Sequence, residues 1–191
     1  RGRRGNATPD WLEVLVRVDD RRARSAVGDY LKSTSSGRSR ALSLIGRESP
    51  LSWEKTLTAW VSSDDEATRR SAVVASGRMA DPRSLAALRK YHRKEKVEDL
   101  EGRFLRSLAA VAPTNSAVAS SVVKAATKHK VMLVRAHAIV AAGYLELRDP
   151  VLNCLRSGLQ DPSVVVRAVT AYVIAERQYQ ELSDALSKSL E

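Results

Sequence analysis

The stretch Arg135-Ala-His-Ala-Ile-Val-Ala-Ala-Gly143 decides the fold, because its spacing of Arg, Ala and Gly recurs along the chain. Two further segments repeat the pattern Arg-x-x-Ala-x4-Gly, namely Arg38/Ala41/Gly46 and Arg69/Ala72/Gly77. Chance predicts roughly 0.15 matches in a chain of this composition. An Ala one turn after the Arg lets helices pack closely, and a Gly after the last turn can form a left-handed cap. The recurrence predicts an array of helix pairs.

Two degenerate copies of the pattern fill the remaining positions, at Arg106/Ala109 and at Arg167/Thr170/Ala171. The arginines at 38, 69, 106, 135 and 167 are then spaced by 31, 37, 29 and 32 residues. The copy at Arg106 lacks the Gly, so we expect the third unit to be irregular. We also expect the Arg of one unit to bridge to its neighbour.

Proline after a capping side chain marks the predicted helix starts, because this pair suits a first helical turn. Within the repeat array four such pairs occur, at Ser49-Pro50, Asp81-Pro82, Asp149-Pro150 and Asp161-Pro162. Apolar residues with the helical period follow them, as in Leu85 and Leu88. The predicted helix pairs are 37–61, 65–93, 98–128, 131–160 and 162–190. Thr8-Pro9 predicts an earlier helix in which Trp11 covers the apolar end of the array. A strand is the alternative for this segment, because it also contains several valines.

The segment Asp161-Pro-Ser-Val-Val-Val-Arg167 resembles a HEAT-like repeat, especially the short bacterial kind found in phycobilin-lyase-type repeat proteins. Leu133-Val-Arg-Ala-His-Ala138 resembles it nearly as well. The resemblance implies an all-α fold, a right-handed α-solenoid of about five helix pairs with one or two N-terminal capping helices. Residues 1–36 would form a basic arm and the capping helices, and 37–191 the repeat array, within a single domain. HEAT-like repeats specify a scaffold rather than an activity.

Residues that could carry chemistry are few. His92, His129 and His137 are the only histidines, and none has the spacing of a metal-binding motif. We expect His137 to be structural, and His92 and His129 to place partial positive charge at helix ends. Cys154, the single cysteine, has no histidine nearby in sequence and is expected to be buried. We therefore predict no enzymatic activity, no cofactor, no metal and no small-molecule substrate.

Two tryptophans keep one enzymatic alternative open. Trp53 and Trp60 are seven residues apart and so lie on one helix face, where they could stack on bases. HEAT-like alkylpurine DNA glycosylases use a basic face with aromatic side chains, but no matching catalytic motif occurs in this chain. A buried helix face explains the same spacing, and this is the interpretation we favour.

The formal net charge is +10, and most of it lies in the N-terminal half. Second helices line the concave face of HEAT solenoids, so basic residues on them would align from unit to unit. We predict a partner-binding basic strip whose members are Arg83, Arg89, Lys90, Arg93, Lys94, Lys124, Lys128, Lys130 and Arg156. The alternative is that these side chains only solvate the surface and complement helix dipoles.

The predicted function is that of a scaffold or adaptor whose concave surface binds an acidic surface or peptide of a protein partner. Nucleic acid is the alternative partner, since phosphates would also fit a basic strip. A single cysteine, no signal peptide and no bilayer-length apolar run predict a cytoplasmic protein. The sequence begins at Arg1 rather than Met, so we expect a preceding segment. Arg1, Arg3 and Arg4 would suit the cytoplasmic flank of a membrane tether in that segment, which would make the chain a regulatory domain.

Overall fold

The computed structural model describes residues 11–18, 20–32, 34–48 and 53–188, and within them the chain is all-α. It divides into two compact units, Arg1–Met79 and Ala80–Glu191. The first unit contains α1 (Trp11–Val18), α2 (Arg21–Leu31), α3 (Ser35–Glu48), α4 (Glu54–Trp60) and α5 (Glu66–Met79). The second contains α6 (Leu85–His92), α7 (Glu98–Val111), α8 (Ser116–Lys128), α9 (Met132–Ala142), α10 (Arg148–Leu159), α11 (Val164–Glu176) and α12 (Ser183–Lys188). Short 3-10 helices, Pro82–Ser84 and Gln180–Leu182, precede α6 and α12.

Helices in each unit pack mainly on their next-but-one neighbours. In the first unit α3 packs on α5 and α1 packs on α3, while the consecutive helices α4 and α5 also pack on each other. In the second unit α7 packs on α9, α9 packs on α11, and α8 packs on α10. Fully buried side chains such as Leu42, Ile45, Phe104, Ile139 and Leu155 fill the spaces between them. This order of contacts is that of a helical repeat array.

Each predicted helix pair contains two helices in the structure, and the segment from Trp11 is helix α1 rather than a strand. Trp11 does not become buried there. Its side chain is 55% exposed, while Leu12 and Val16 fill the core, and its ring meets Tyr30 edge to face at 5.4 Å. The boundary predicted between residues 36 and 37 falls inside α3, which packs on α2.

The repeat glycines have a different role from the predicted one. No glycine among the described residues has a positive φ, and Gly143, which ends α9, has φ −63°. A Cβ at Gly46 would lie 2.4 Å from Ala75 Cα, and one at Gly143 would lie 3.2 Å from Val173 Cγ1. The prediction of left-handed caps was therefore wrong, because these glycines allow close approach of the next unit's first helix.

The third repeat unit, which consists of α7 and α8, is more regular than its sequence suggests. Arg38, Arg69, Arg135 and Arg167 are each the fourth residue of a helix. In α7 the fourth residue is Glu101, whereas Arg106 is the ninth. The equivalent positions 38, 69, 101, 135 and 167 are spaced by 31, 32, 34 and 32 residues. The match at Arg106 was therefore a wrong alignment, since Glu101 takes the position that Arg occupies elsewhere.

Helix starts agree with the predicted caps in one case and differ in two. Asp81 accepts a hydrogen bond from the Arg83 amide at 3.0 Å, as predicted. Asp149 instead lies inside the first turn of α10, which begins one residue earlier. Asp161 precedes the cap residue Ser163 and accepts a bond from its amide at 2.8 Å. Thr8-Pro9 and Ser49-Pro50 lie outside the described residues.

Candidate binding surface

The repeat arginines hold loops rather than face solvent. Arg69 donates to the carbonyl of Ser63 at 2.6 Å, and Arg135 donates to the carbonyls of His129 and Lys130 at 2.9 and 3.1 Å. The guanidinium of Arg167 binds the carbonyls of Asp161 and Pro162 at 2.9 and 3.2 Å. We call this contact, with carbonyls five and six residues upstream, the arginine clamp. It fixes the loop before each of these first helices.

Arg135 also makes the predicted bridge to the following unit. Its guanidinium donates to both carboxylate oxygens of Asp161, at 2.7 and 2.9 Å, and both side chains are largely buried. The Arg135 guanidinium holds the pKa of Asp161 below its ordinary value. Because the arginine at this position is engaged in these structural contacts, the candidate binding surface is built from other cations.

Lys90, Lys124 and Arg156 occupy equivalent positions on α6, α8 and α10. The buried residues Leu88, Val122 and Cys154 align these helices with steps of 34 and 32 residues. The N-cap residues Asp81 and Asn115 are separated by the same 34 residues as Leu88 and Val122. The three exposed cations lie two residues after the buried ones in every case. We call Lys90, Lys124 and Arg156 the cationic register.

An open groove of about 570 Å³ lies between α8 and α10. Lys124 and Lys128 line it near the end of α8, and Asp149 lines it in the first turn of α10. The remaining lining side chains are uncharged, and they are Ser116, Ala119, Ser120, Val123, Thr127, Leu147, Pro150 and Asn153. Sequence reasoning missed this groove, although the run Ser116–Ser121 of mostly small residues in a second helix was its signal.

Four other predicted residues, Arg89, Lys90, Arg93 and Lys94, line a second depression on α6 together with Ala86. The ammonium groups of Lys90 and Lys94 lie 5.3 and 6.0 Å from the centre of the Tyr91 ring. These cations form a cluster at the end of α6, where positive charge also complements the helix dipole.

The remaining three residues of the predicted basic strip, Arg83, Lys130 and Arg156, have different surroundings. Arg83 forms an ion pair with the buried carboxylate of Asp81 and holds its pKa below the ordinary value. Lys130 is exposed in the loop before α9. Arg156 is exposed on α10, where its guanidinium lies 3.5 Å from Asn153 Oδ1 in the groove wall. Arg83 is thus engaged in a helix cap, while Arg156 borders the groove.

The three histidines are half-buried, and the cysteine is buried. Burial lowers the pKa of His92, and nearby Arg93 lowers it further, so His92 carries less positive charge at this helix end than an exposed histidine would. Burial also lowers the pKa of His137, which is half-buried with Nε2 3.2 Å from Asp99 Oδ1. Burial of Cys154 raises the pKa of its thiol to about 12, and the predicted buried cysteine is confirmed. Among the described residues, no three His, Cys, Asp or Glu side chains are placed to hold a metal ion.

The two tryptophans at the ends of α4, Trp53 directly before it and Trp60 as its last residue, are not equivalent. Trp53 is 2% exposed and belongs to the core. Trp60 is half-buried, and the Arg38 guanidinium lies 4.5 Å above its ring. One base-stacking face is therefore buried and the other is covered by a cation, which favours the structural interpretation of both residues.

The sequence matches no known family model, and a comparison with curated proteins also finds no match. None of the helices in the described ranges is long and apolar enough to cross a membrane.

Proposed function

We propose that this chain is a HEAT-like solenoid that acts as a non-enzymatic adaptor and binds an acidic segment of a protein partner. The cationic register of Lys90, Lys124 and Arg156 carries the proposal, because the repeat brings one exposed cation to the same place on three successive second helices. Such a row matches a ligand that carries negative charge at intervals along its length.

A protein ligand is favoured over nucleic acid by what surrounds the cations. The groove beside Lys124 offers apolar side chains such as Val123 and Pro150, and it includes the carboxylate of Asp149. A phosphate backbone gains nothing from the apolar side chains and is repelled by Asp149. A peptide can use both kinds of surface, because its side chains differ from one position to the next.

The test measures binding of a fluorescent polyglutamate peptide of about twelve residues. Charge reversal of the cationic register, as Lys90→Glu, Lys124→Glu and Arg156→Glu together, should weaken binding at low salt by about tenfold or more. Reversal at the exposed residues Lys55, Arg78 and Lys188 changes the net charge equally, and it should weaken binding much less.

Equal losses in the two triple variants would show that only net charge matters and would end the proposal. Duplex DNA serves as the second ligand, because nucleic acid is the alternative partner. DNA binding that is tighter than peptide binding at moderate salt, with a steep logarithmic salt slope, would replace the adaptor by a nucleic-acid-binding protein.

A further inference from the structure

The groove between α8 and α10 has room for side chains as well as for charges. Its volume of about 570 Å³ lies within the range found for ligand-binding clefts. The room exists because α8 presents Ser116, Ala119 and Ser120 where larger residues would fill the space. Pro150 and Leu147 provide apolar contacts from the side of α10.

The charges in this groove are arranged along its length. The 32-residue step places Asp149 level with Ala117 in the first turn of α8, and Arg156 level with Lys124. Lys124 and Lys128 therefore lie toward one end of the groove and Asp149 toward the other. A ligand that is acidic throughout would be attracted at the lysine end and repelled at the Asp149 end.

We infer that this groove receives an amphipathic acidic peptide segment whose apolar side chains fill the space over Ala119, Val123 and Pro150 while its carboxylates face Lys124 and Lys128. The inference rests on the proposed function and names the class of segment that is bound. Burial of apolar side chains stabilises the complex without salt dependence, whereas the ion pairs at the lysine end set its orientation.

Two labelled peptides of about twelve residues test the inference. Both carry the same glutamates, and one carries leucines where the other carries serines. The leucine peptide should bind the unmodified chain about tenfold more tightly than the serine peptide, since two buried leucines supply at least that difference. Asp149→Asn should tighten binding of the serine peptide, because it removes the repelling charge.

A bulky side chain placed in the groove should abolish the preference for leucine. Ser120→Trp does this from α8, and Asn153→Trp does it from α10; both positions are exposed, so the fold should persist, which circular dichroism can verify. Ser121→Trp is the matched control, because Ser121 is exposed on the same helix but lies outside the groove lining. It should leave the preference unchanged.

Equal binding of the two peptides, or a leucine preference that survives both groove-filling variants, would overturn the inference. Neither result affects the cationic register, whose reversal should still weaken polyglutamate binding. Conversely, a leucine preference that persists after reversal of Lys90, Lys124 and Arg156, with no loss of affinity, would reject the charge-based function itself. The two failures are thus distinguishable.

Discussion

Two neighbouring contacts between first helices, both within residues 80–191, are held by different chemistry. Between α9 and α11, Arg135 binds Asp161 through two hydrogen bonds. Between α7 and α9, His137 lies 3.2 Å from Asp99. A guanidinium stays charged at every pH that a folded protein survives, whereas an imidazole titrates near neutrality. The first junction should therefore be insensitive to mild acid, and the second should not.

The third repeat unit, α7 and α8, also differs from the other units by one exchange of charge. Glu101 stands where the other first helices carry the clamp arginine, and its carboxylate lies 3.6 Å from His129 Nε2. His129 Nδ1 accepts a hydrogen bond from the Val131 amide at 3.1 Å, which orients the ring. A carboxylate in the first turn also suits the helix dipole. The third unit thus keeps the helical arrangement but replaces the arginine clamp with histidine–carboxylate contacts.

Removal of Asp161 should produce the largest effect. Asp161→Ala leaves the largely buried Arg135 without its anionic partner and frees the Ser163 amide, so we expect a loss of about 3 kcal/mol in the free energy of unfolding. Urea denaturation measures it. Glu66→Ala breaks the exposed pair with Arg70 and should cost less than about 1 kcal/mol. Equal costs would show that the Arg135–Asp161 pair is no stronger than a surface pair.

Substitution of alanine for Gly102 and for Gly143 should show how the α7–α9 and α9–α11 interfaces differ in their tolerance of a side chain. A Cβ at Gly102 would lie 2.5 to 2.6 Å from side-chain atoms of His137, including its Cβ, so Gly102→Ala should cost about 2 kcal/mol. At Gly143 the nearest atom is Val173 Cγ1 at 3.2 Å, and the helical φ suits alanine. Gly143→Ala should therefore change stability by less than about 1 kcal/mol in thermal or urea unfolding. A larger loss at Gly143 than at Gly102 would contradict this packing.

Mild acid should destabilise the chain through His137. Burial lowers its pKa in the folded state, while the unfolded chain has the ordinary value of about 6.5, so the unfolded state binds more protons below that pH. Asp99 opposes the shift, and Arg103 and Arg106 reinforce it. Stability should fall as pH decreases from about 7.5 to about 5.5.

His137→Gln removes this titration, so the fall in stability should be smaller in the variant when urea denaturation is repeated across the same pH range. Burial also lowers the pKa of His92, so part of the dependence should remain. The Asp161 carboxylate, with its lowered pKa, loses its contribution only as pH drops below the ordinary pKa of Asp, about 4, and through the lower value of the folded state. An unchanged pH dependence in the His137 variant would show that this junction does not sense mild acid.

Restoration of arginine in the third unit should have the smallest effect. Glu101→Arg offers the clamp to the carbonyls of Glu95 and Lys96, but it loses the favourable helix-dipole interaction and the contact with His129. The two changes should cancel to within about 0.5 kcal/mol in urea denaturation. A gain above about 1 kcal/mol would show that the clamp outweighs the histidine contact.

Helix order was predictable because caps and apolar period are local features, as at Asp81 and Leu88. The role of Gly143 was not, because only the packing partner Val173 explains why a side chain is excluded. The alignment of the third unit failed because Glu101 has the opposite charge to the repeated arginine. The groove could not be predicted from the sequence, because its space depends on which serines of α8 face α10, and tertiary packing determines this.

The arginine clamp bears on how such a chain can lengthen. Arg135 and Arg167 bind carbonyls only five and six residues upstream, so each clamp needs only the loop directly before its own helix. Tandem duplication of residues 132–163 would supply a new first helix, a new second helix and the loop that the next clamp requires. Growth by a whole step keeps every offset, whereas a partial step separates an arginine from its loop. Gene duplication can therefore add a helix pair to this array without the need for new contacts to evolve.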